Sequence, residues 1–140
     1  MRFSFRSEYG IRAMGVLADR DAAGPMPLRE IAAVENISEQ FLEQIFVDLR
    51  RAGFVTSVRG AHGGYRLARE PGEISLAELV SVLEGGIAPF ECVSDQHLQD
   101  DGCDRVDSCI TRKVWLRLKE TMTETLGGMT LADLRRDAPV

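Results

Sequence analysis

The chain has 140 residues, of which 44% are apolar and 28% charged, with a formal net charge of −5. That is the composition of one globular domain, or of one small domain with an attached oligomerisation arm, and it excludes a disordered chain. No apolar run reaches the ~20 residues of a membrane span, and Met-Arg-Phe-Ser-Phe-Arg at the start lacks the apolar stretch of a secretion signal, so a cytoplasmic protein is expected.

The apolar spacing of Ile11, Met14 and Leu17 predicts a first helix from Ser7 to about Asp19. Asp21 to Pro27, with one glycine and two prolines, predicts a turn. Leu28, Ile31 and Ala32 share one side of a short second helix that breaks at Val34-Glu35-Asn36-Ile37. Ser38 is an N-cap for a third helix, whose stripe Leu42, Ile45, Phe46, Leu49 follows the i, i+3, i+4, i+7 pattern and ends at Gly53. The period then changes. Phe54–Val58 and Tyr65–Ala68 are β-prone runs flanking a glycine-rich tip, which predicts a hairpin closed by Pro71-Gly72. Ser75 and Glu78 form a capping box for a fourth helix carrying Leu76, Leu79, Val80 and Leu83, ended by Gly85-Gly86. Ile87 to Asp107 shows no period. A long helix follows from about Ser108 to Leu126, with Val114, Trp115, Leu118, Met122 and Leu126 on one side. Thr130 caps a last short turn with Leu131 and Leu134.

Charge is unevenly placed along this pattern. Between Leu49 and Arg69 lie Arg50, Arg51, Arg59, Arg66 and Arg69 and no acid. Between Glu91 and Asp107 there are six acids against Arg105 alone. The first segment can face phosphates and the second cannot. Two short helices, a third helix and a glycine-tipped hairpin have the order of a winged helix-turn-helix. Its third helix must expose polar groups near its N-terminal end, and Ser38, Glu39, Gln40, Glu43 and Gln44 lie there, opposite the apolar stripe. The hairpin tip, Arg59-Gly60-Ala61-His62-Gly63-Gly64, offers a cation to a minor groove. Any one of these features is common in proteins that bind no nucleic acid; their combination is what points to DNA.

Three cysteines are an odd set for a disulfide framework and a natural one for a metal site or a reactive thiol. Ten residues lie between Cys92 and Cys103 and five between Cys103 and Cys109. Thiolates suit soft iron centres, and an irregular segment can bend three of them around one. A structural zinc site lacks its usual close cysteine pair here, and a thiol–disulfide switch would use Cys103 and Cys109 as the nearer partners. A catalytic cysteine is disfavoured, because the surrounding acids should raise a thiol's pKa.

The segment from Ile37 to Tyr65, with Leu42-Glu43-Gln44-Ile45-Phe46, Gly53-Phe54-Val55 and Arg59-Gly60-Ala61-His62-Gly63-Gly64-Tyr65, resembles the iron–sulfur-cluster regulator family of winged-helix repressors, the IscR, NsrR and RirA group. The likeness extends from Tyr9–Leu17 through Ile74–Leu79 to the cysteine segment. It implies a mainly α fold with a small β-hairpin wing: a winged helix-turn-helix domain over residues 1–86, a cluster-binding loop over 87–109, and a dimerisation helix and tail over 110–140. It further implies a homodimer on palindromic operator DNA, with Ser38, Glu43, Gln44 and Arg59 as contacts. Cys92, Cys103 and Cys109 would hold a [4Fe-4S] or [2Fe-2S] cluster, although the first gap is longer than in the best-known members.

In some relatives a histidine three residues past the last cysteine is the fourth ligand; here that position is Arg112, which cannot ligate. In others a carboxylate just before the first-helix tyrosine serves from the opposite subunit, and here that is Glu8, with His97 in reserve. The implied function is a transcriptional regulator, a repressor of cluster-assembly or iron-homeostasis genes, and not an enzyme. Nitric oxide or redox sensing by the same fold, a zinc or thiol-switch protein without a cluster, and a cluster carrier that binds no DNA remain open alternatives.

Overall fold

The structure, a computed structural model, describes residues 2–100 and 103–135. Asp101, one of the acids of the cysteine segment, and the end of the C-terminal tail lie outside the described residues. The elements are α1 (Phe5–Asp19), α2 (Leu28–Glu35), α3 (Glu39–Arg51), β1 (Val55–Val58), β2 (Gly64–Leu67), α4 (Leu76–Glu84), α5 (Asp95–Asp100) and α6 (Arg112–Gly127), with short 3-10 turns between several of them. This is the expected mainly helical architecture with one antiparallel hairpin, paired Val55 to Leu67 through Val58 to Gly64.

The local signals act as the sequence indicates. Asn36, in the left-handed region at φ 52°, closes α2. The Ser38 hydroxyl accepts from the Phe41 amide at 3.3 Å and starts α3. Ser75 and Glu78 form the complete capping box of α4. Met14, Ile31, Leu42, Ile45, Phe46, Leu49, Leu79 and Leu131 are fully buried together, so α1 to α4 and the turn after α6 share one core. α1 approaches α4 closely at Gly10, where a Cβ would come within 2.7 Å of Leu83 Cδ1, so glycine is tolerated inside this helix for packing.

Three boundaries differ from the sequence expectation. α1 begins at Phe5 rather than Ser7, because Glu84 of α4 accepts hydrogen bonds from the Ser4 amide (2.6 Å), the Ser4 hydroxyl (2.9 Å) and the Ser7 hydroxyl (2.5 Å) and so holds the first turn. The aperiodic segment contains a 3-10 turn over Glu91–Val93, pinned by the buried Val93, and then α5, whose His97 amide donates to the Ser94 hydroxyl at 3.3 Å. α6 begins at Arg112 rather than Ser108, since the Ser108 and Cys109 amides both close turns onto the Arg105 carbonyl.

Past α6 the chain returns to the core. The Leu76 amide donates to the Met129 carbonyl (3.0 Å) and the Leu131 amide to the Ile74 carbonyl (2.9 Å). The apolar stripe foreseen on α6 divides. Trp115, Met122 and Leu126 are half-buried, with the Trp115 ring tilted at 47° against Phe90, centroids 4.6 Å apart, while Val114 and Leu118 are exposed and no α6 residue is fully buried.

Candidate functional site

The hairpin is fastened to α3 and to the loop before α2. Tyr65 meets Phe46 edge to face at 4.8 Å, and its backbone exchanges hydrogen bonds of 2.8 and 2.9 Å with Met26. Gly64 makes the close approach possible: at φ +147°, a Cβ there would lie 2.2 Å from the Met26 carbonyl oxygen. Tyr65 and Gly64 therefore shape the wing and hold it at a fixed distance from α3.

The outward side of α3 carries Glu39, Gln40, Glu43, Gln44, Val47, Arg50 and Arg51, all exposed. Ser38 is exposed at its N-terminal end, and Arg59 is exposed at the wing tip beside Gly60. Glu43, Gln44 and Arg59 have no side-chain partner among the described residues, so their hydrogen-bonding groups are available to a ligand. Of the arginines in the acid-free window, Arg69 is used internally, stacked over Phe54 at 5.1 Å and 3.7 Å from Glu78. Arg50, Arg59 and Arg66 face solvent. Tyr9 and Phe41, edge to face at 5.7 Å, line an open cleft beside Ser38 and Gln44.

Cys92, Cys103 and Cys109 are free and half-exposed. Cys92 lies in the 3-10 turn, Cys103 in the turn whose carbonyl accepts from the Val106 amide, and Cys109 just before α6. The Cys109 pKa is lowered: the Thr111 hydroxyl, 3.3 Å from Sγ, contributes most, followed by the Thr111 and Arg112 backbone amides, with Arg105 adding charge against a burial effect that opposes them. This corrects the expectation drawn from the acids of the segment. Local amide and hydroxyl donors at a helix start outweigh more distant carboxylates. The Thr two residues past a cysteine at the head of a helix was the available signal.

Glu8 is exposed in the first turn of α1, without a partner among the described residues. His97 is engaged: its Nδ1 lies 3.1 Å from Glu91 Oε1 and 3.2 Å from Ser94 Oγ. Arg112, in the position where some relatives place a histidine, has a buried Nε without a hydrogen-bond partner, and it is the one such side-chain atom among the described residues. Among the described residues no three His, Cys, Asp or Glu side chains are gathered closely enough to hold a metal ion. By residue type the donors suit a soft, anionic sulfur-bridged centre, with three thiols, one of lowered pKa, and an unsatisfied guanidinium donor nearby in sequence. Among the described residues the three thiols are not brought together with a fourth donor.

The chain matches the family model Rrf2, described as an iron-dependent transcriptional regulator, over residues 3–137. It is 38% identical over 134 residues to the transcriptional regulator CymR of Bacillus subtilis, covering 96% of this chain and 89% of that one. The solved structure of that CymR, described as the global cysteine regulator, superposes with a TM-score of 0.76 at 37% identity, covering 96% of this chain and 95% of the other. The structure of an IscR from T. potens superposes with a TM-score of 0.77 at 39% identity, covering 96% and 85%.

Proposed function

The chain belongs to the Rrf2 family of transcriptional regulators and is not an enzyme, and we propose that it is a homodimeric repressor whose operator affinity is set by an iron–sulfur cluster, acting on cluster-assembly or iron-homeostasis genes. In this reading α3 enters the major groove of a palindromic operator, with Ser38, Glu43 and Gln44 at base edges or phosphates, and Arg59 of the wing reaches the minor groove. Cys92, Cys103 and Cys109 would hold the cluster, with Glu8 of the partner subunit as fourth ligand. The observation that carries the proposal is the set of three free, half-exposed thiols in one segment directly before α6, the last of them with a lowered pKa.

A cluster held by Cys92, Cys103, Cys109 and Glu8 of the partner subunit would supply iron- and oxidant-sensitive chemistry at the cysteine segment. The protein's own part is mechanical. Val93 anchors the segment to the body of the molecule, Phe90 and Trp115 tie it to α6, and Arg6 ties α1 to α3 through Asp48. A change in how the segment and the partner's α1 are joined is thereby passed to the spacing of the two α3 helices. A coupling of ~1–3 kcal/mol gives a roughly 5–150-fold change in operator affinity, and DNA must stabilise the favoured segment state by the same amount.

The lowered pKa of Cys109 supports a second reading, a thiol-based switch without a cluster, and the CymR relative is described as a cysteine regulator. Purification without oxygen, followed by an absorbance spectrum and iron and sulfide counts, separates the two. A coloured protein whose chromophore is lost in Cys92→Ser, Cys103→Ser and Cys109→Ser, and is destabilised in Glu8→Ala, is expected, together with salt-dependent binding to a palindromic duplex. Colourless protein, with operator affinity unchanged when all three thiols are replaced, overturns it.

A further inference from the structure

We propose that Val47 reads a thymine methyl group in the operator, an apolar contact at the centre of the α3 surface. The inference deepens the DNA-binding reading above and rests on it.

An isolated exposed valine is ordinary on a protein surface. What marks this one is its position. At about 100° per residue, Val47 lies roughly 200° around α3 from Leu49, and Leu49 is fully buried. Val47 is 45% exposed. It falls on the same outward line as Gln40, Gln44 and Arg51, at i, i+4, i+7 and i+11, with Glu43 alongside. All these neighbours are polar and exposed, and Val47 is the sole large apolar side chain among the exposed residues of α3. A β-branched residue gains nothing in helix propensity at such a place, and with nearly half of its surface open to solvent it gains little from burial within the chain.

The charges around it select the kind of partner. Arg50 and Arg51 lie in the last turn of α3, Arg59 and Arg66 on the hairpin, and no acid occurs from residue 49 to 69. A surface with a cationic margin suits a phosphate-lined groove. The major groove presents hydrogen-bonding edges to Glu43 and Gln44, and it presents one apolar group, the C5 methyl of thymine. Val47 has the chemistry for that methyl and cannot satisfy a base-edge donor or acceptor.

Replacing thymine by deoxyuridine removes the methyl and leaves every hydrogen-bonding group in place, so it isolates this contact. Duplexes are selected from a randomised library with the wild-type protein. The enriched duplex is then resynthesised with each thymine in turn replaced by deoxyuridine. One position per half-site is expected at which wild-type affinity falls about fourfold, the equivalent of ~0.8 kcal/mol for one buried carbon, and about 15-fold when both half-sites are changed. Val47→Ala should bind the parent duplex more weakly than wild type and be indifferent to the replacement at that position. Val47→Thr, which keeps a methyl, should retain part of the sensitivity. Wild-type protein that enriches a duplex yet ignores every replacement, or Val47→Ala that retains full sensitivity, overturns the inference alone. Wild-type protein that enriches no duplex overturns the regulator reading and the inference with it.

Discussion

Arg6 Nη2 lies 2.5 Å from Asp48 Oδ2, so the first turn of α1 is tied to the last turn of α3. Arg6 Nε also donates to the Leu83 carbonyl at 3.2 Å, which brings the end of α4 into the same junction. Both charged side chains are about one-third exposed, at 33% and 38%, so solvent screens the pair and its coupling should be small, about 0.5–1 kcal/mol. Arg6→Ala should cost more, about 1–2 kcal/mol, because the Leu83 carbonyl also loses its donor. Urea unfolding of Arg6→Ala, Asp48→Ala and the double variant measures both quantities. A coupling of zero would remove this pair as a link between α1 and α3.

Acid stability should be governed in part by Glu84. Burial alone would raise its pKa, but hydrogen bonds from the Ser7 hydroxyl and from the Ser4 amide and hydroxyl, with the Arg6 charge, together lower it. A carboxylate whose folded pKa lies below its unfolded value stabilises the fold above the unfolded value and loses that contribution as pH falls through the folded one. Thermal melts should therefore be flat with respect to this group at neutral pH and fall as the acid is protonated below the ordinary glutamate range. Glu84→Gln should lower the melting temperature near neutrality and flatten the acid limb. An unchanged acid limb in Glu84→Gln would contradict the assignment.

What the sequence makes legible in this protein is set by range. Ser38, Ser75 with Glu78, and the apolar stripe of α3 act within a few residues of themselves, and their elements appear where local pattern places them. The start of α1 depends on Glu84, far along the chain, and no local pattern contains that bond. The short α5 has too few turns to display a period, and its cap is a single hydroxyl on Ser94. Charge counting misjudges Cys109 because the donors that act on it are local, the Thr111 hydroxyl first and then the Thr111 and Arg112 backbone amides, and a tally of charges registers none of them. The three cysteines stand out in the sequence by residue type, whereas among the described residues they are not gathered into one metal-holding group, which residue type alone does not reveal.

The wing should be intolerant of a methyl group at Gly64. Its φ of +147° is a conformation that residues with a Cβ rarely adopt, and the Cβ would collide with the Met26 backbone. Gly64→Ala must therefore break the Met26–Tyr65 bridge or displace β2, at a cost of about 2–4 kcal/mol. Denaturant unfolding reads the loss, and Gly72→Ala, with no neighbour within 4 Å of its Cβ, is the matched control with little effect. Equal stability of the two variants would show that the bridge does not fix the wing.

Alkylation of metal-free protein should begin at Cys109. Because its thiol is held below the ordinary cysteine range, the thiolate that reacts with iodoacetamide is present at lower pH than for an ordinary thiol. Peptide mass spectrometry after short exposures at a series of pH values should find its rate profile displaced to lower pH. Thr111→Val removes the hydroxyl 3.3 Å from Sγ and should move that profile upward, while leaving Cys92 as it was. A profile unmoved by Thr111→Val would assign the effect elsewhere.

The exposed side of α6 should be where two copies meet. Val114 is 51% exposed and Leu118 40% exposed, one turn apart, with Thr121 and Thr125 continuing the line in side chains small enough for close helix approach. Ile110, 83% exposed, lies just before the helix. The adjoining side of α6, about 100° around the helix, is already occupied, through Trp115 on Phe90 and a salt bridge from Lys119 to Asp95. A second copy presenting the same stripe would cover these apolar groups symmetrically. Leu118→Asp should therefore yield monomer by sedimentation at concentrations where the wild type is dimeric, with helical content retained because the position is not part of the core. Operator affinity should fall with it, since two half-sites must then be filled independently. A dimer that survives both Leu118→Asp and Val114→Asp would place the interface on another surface.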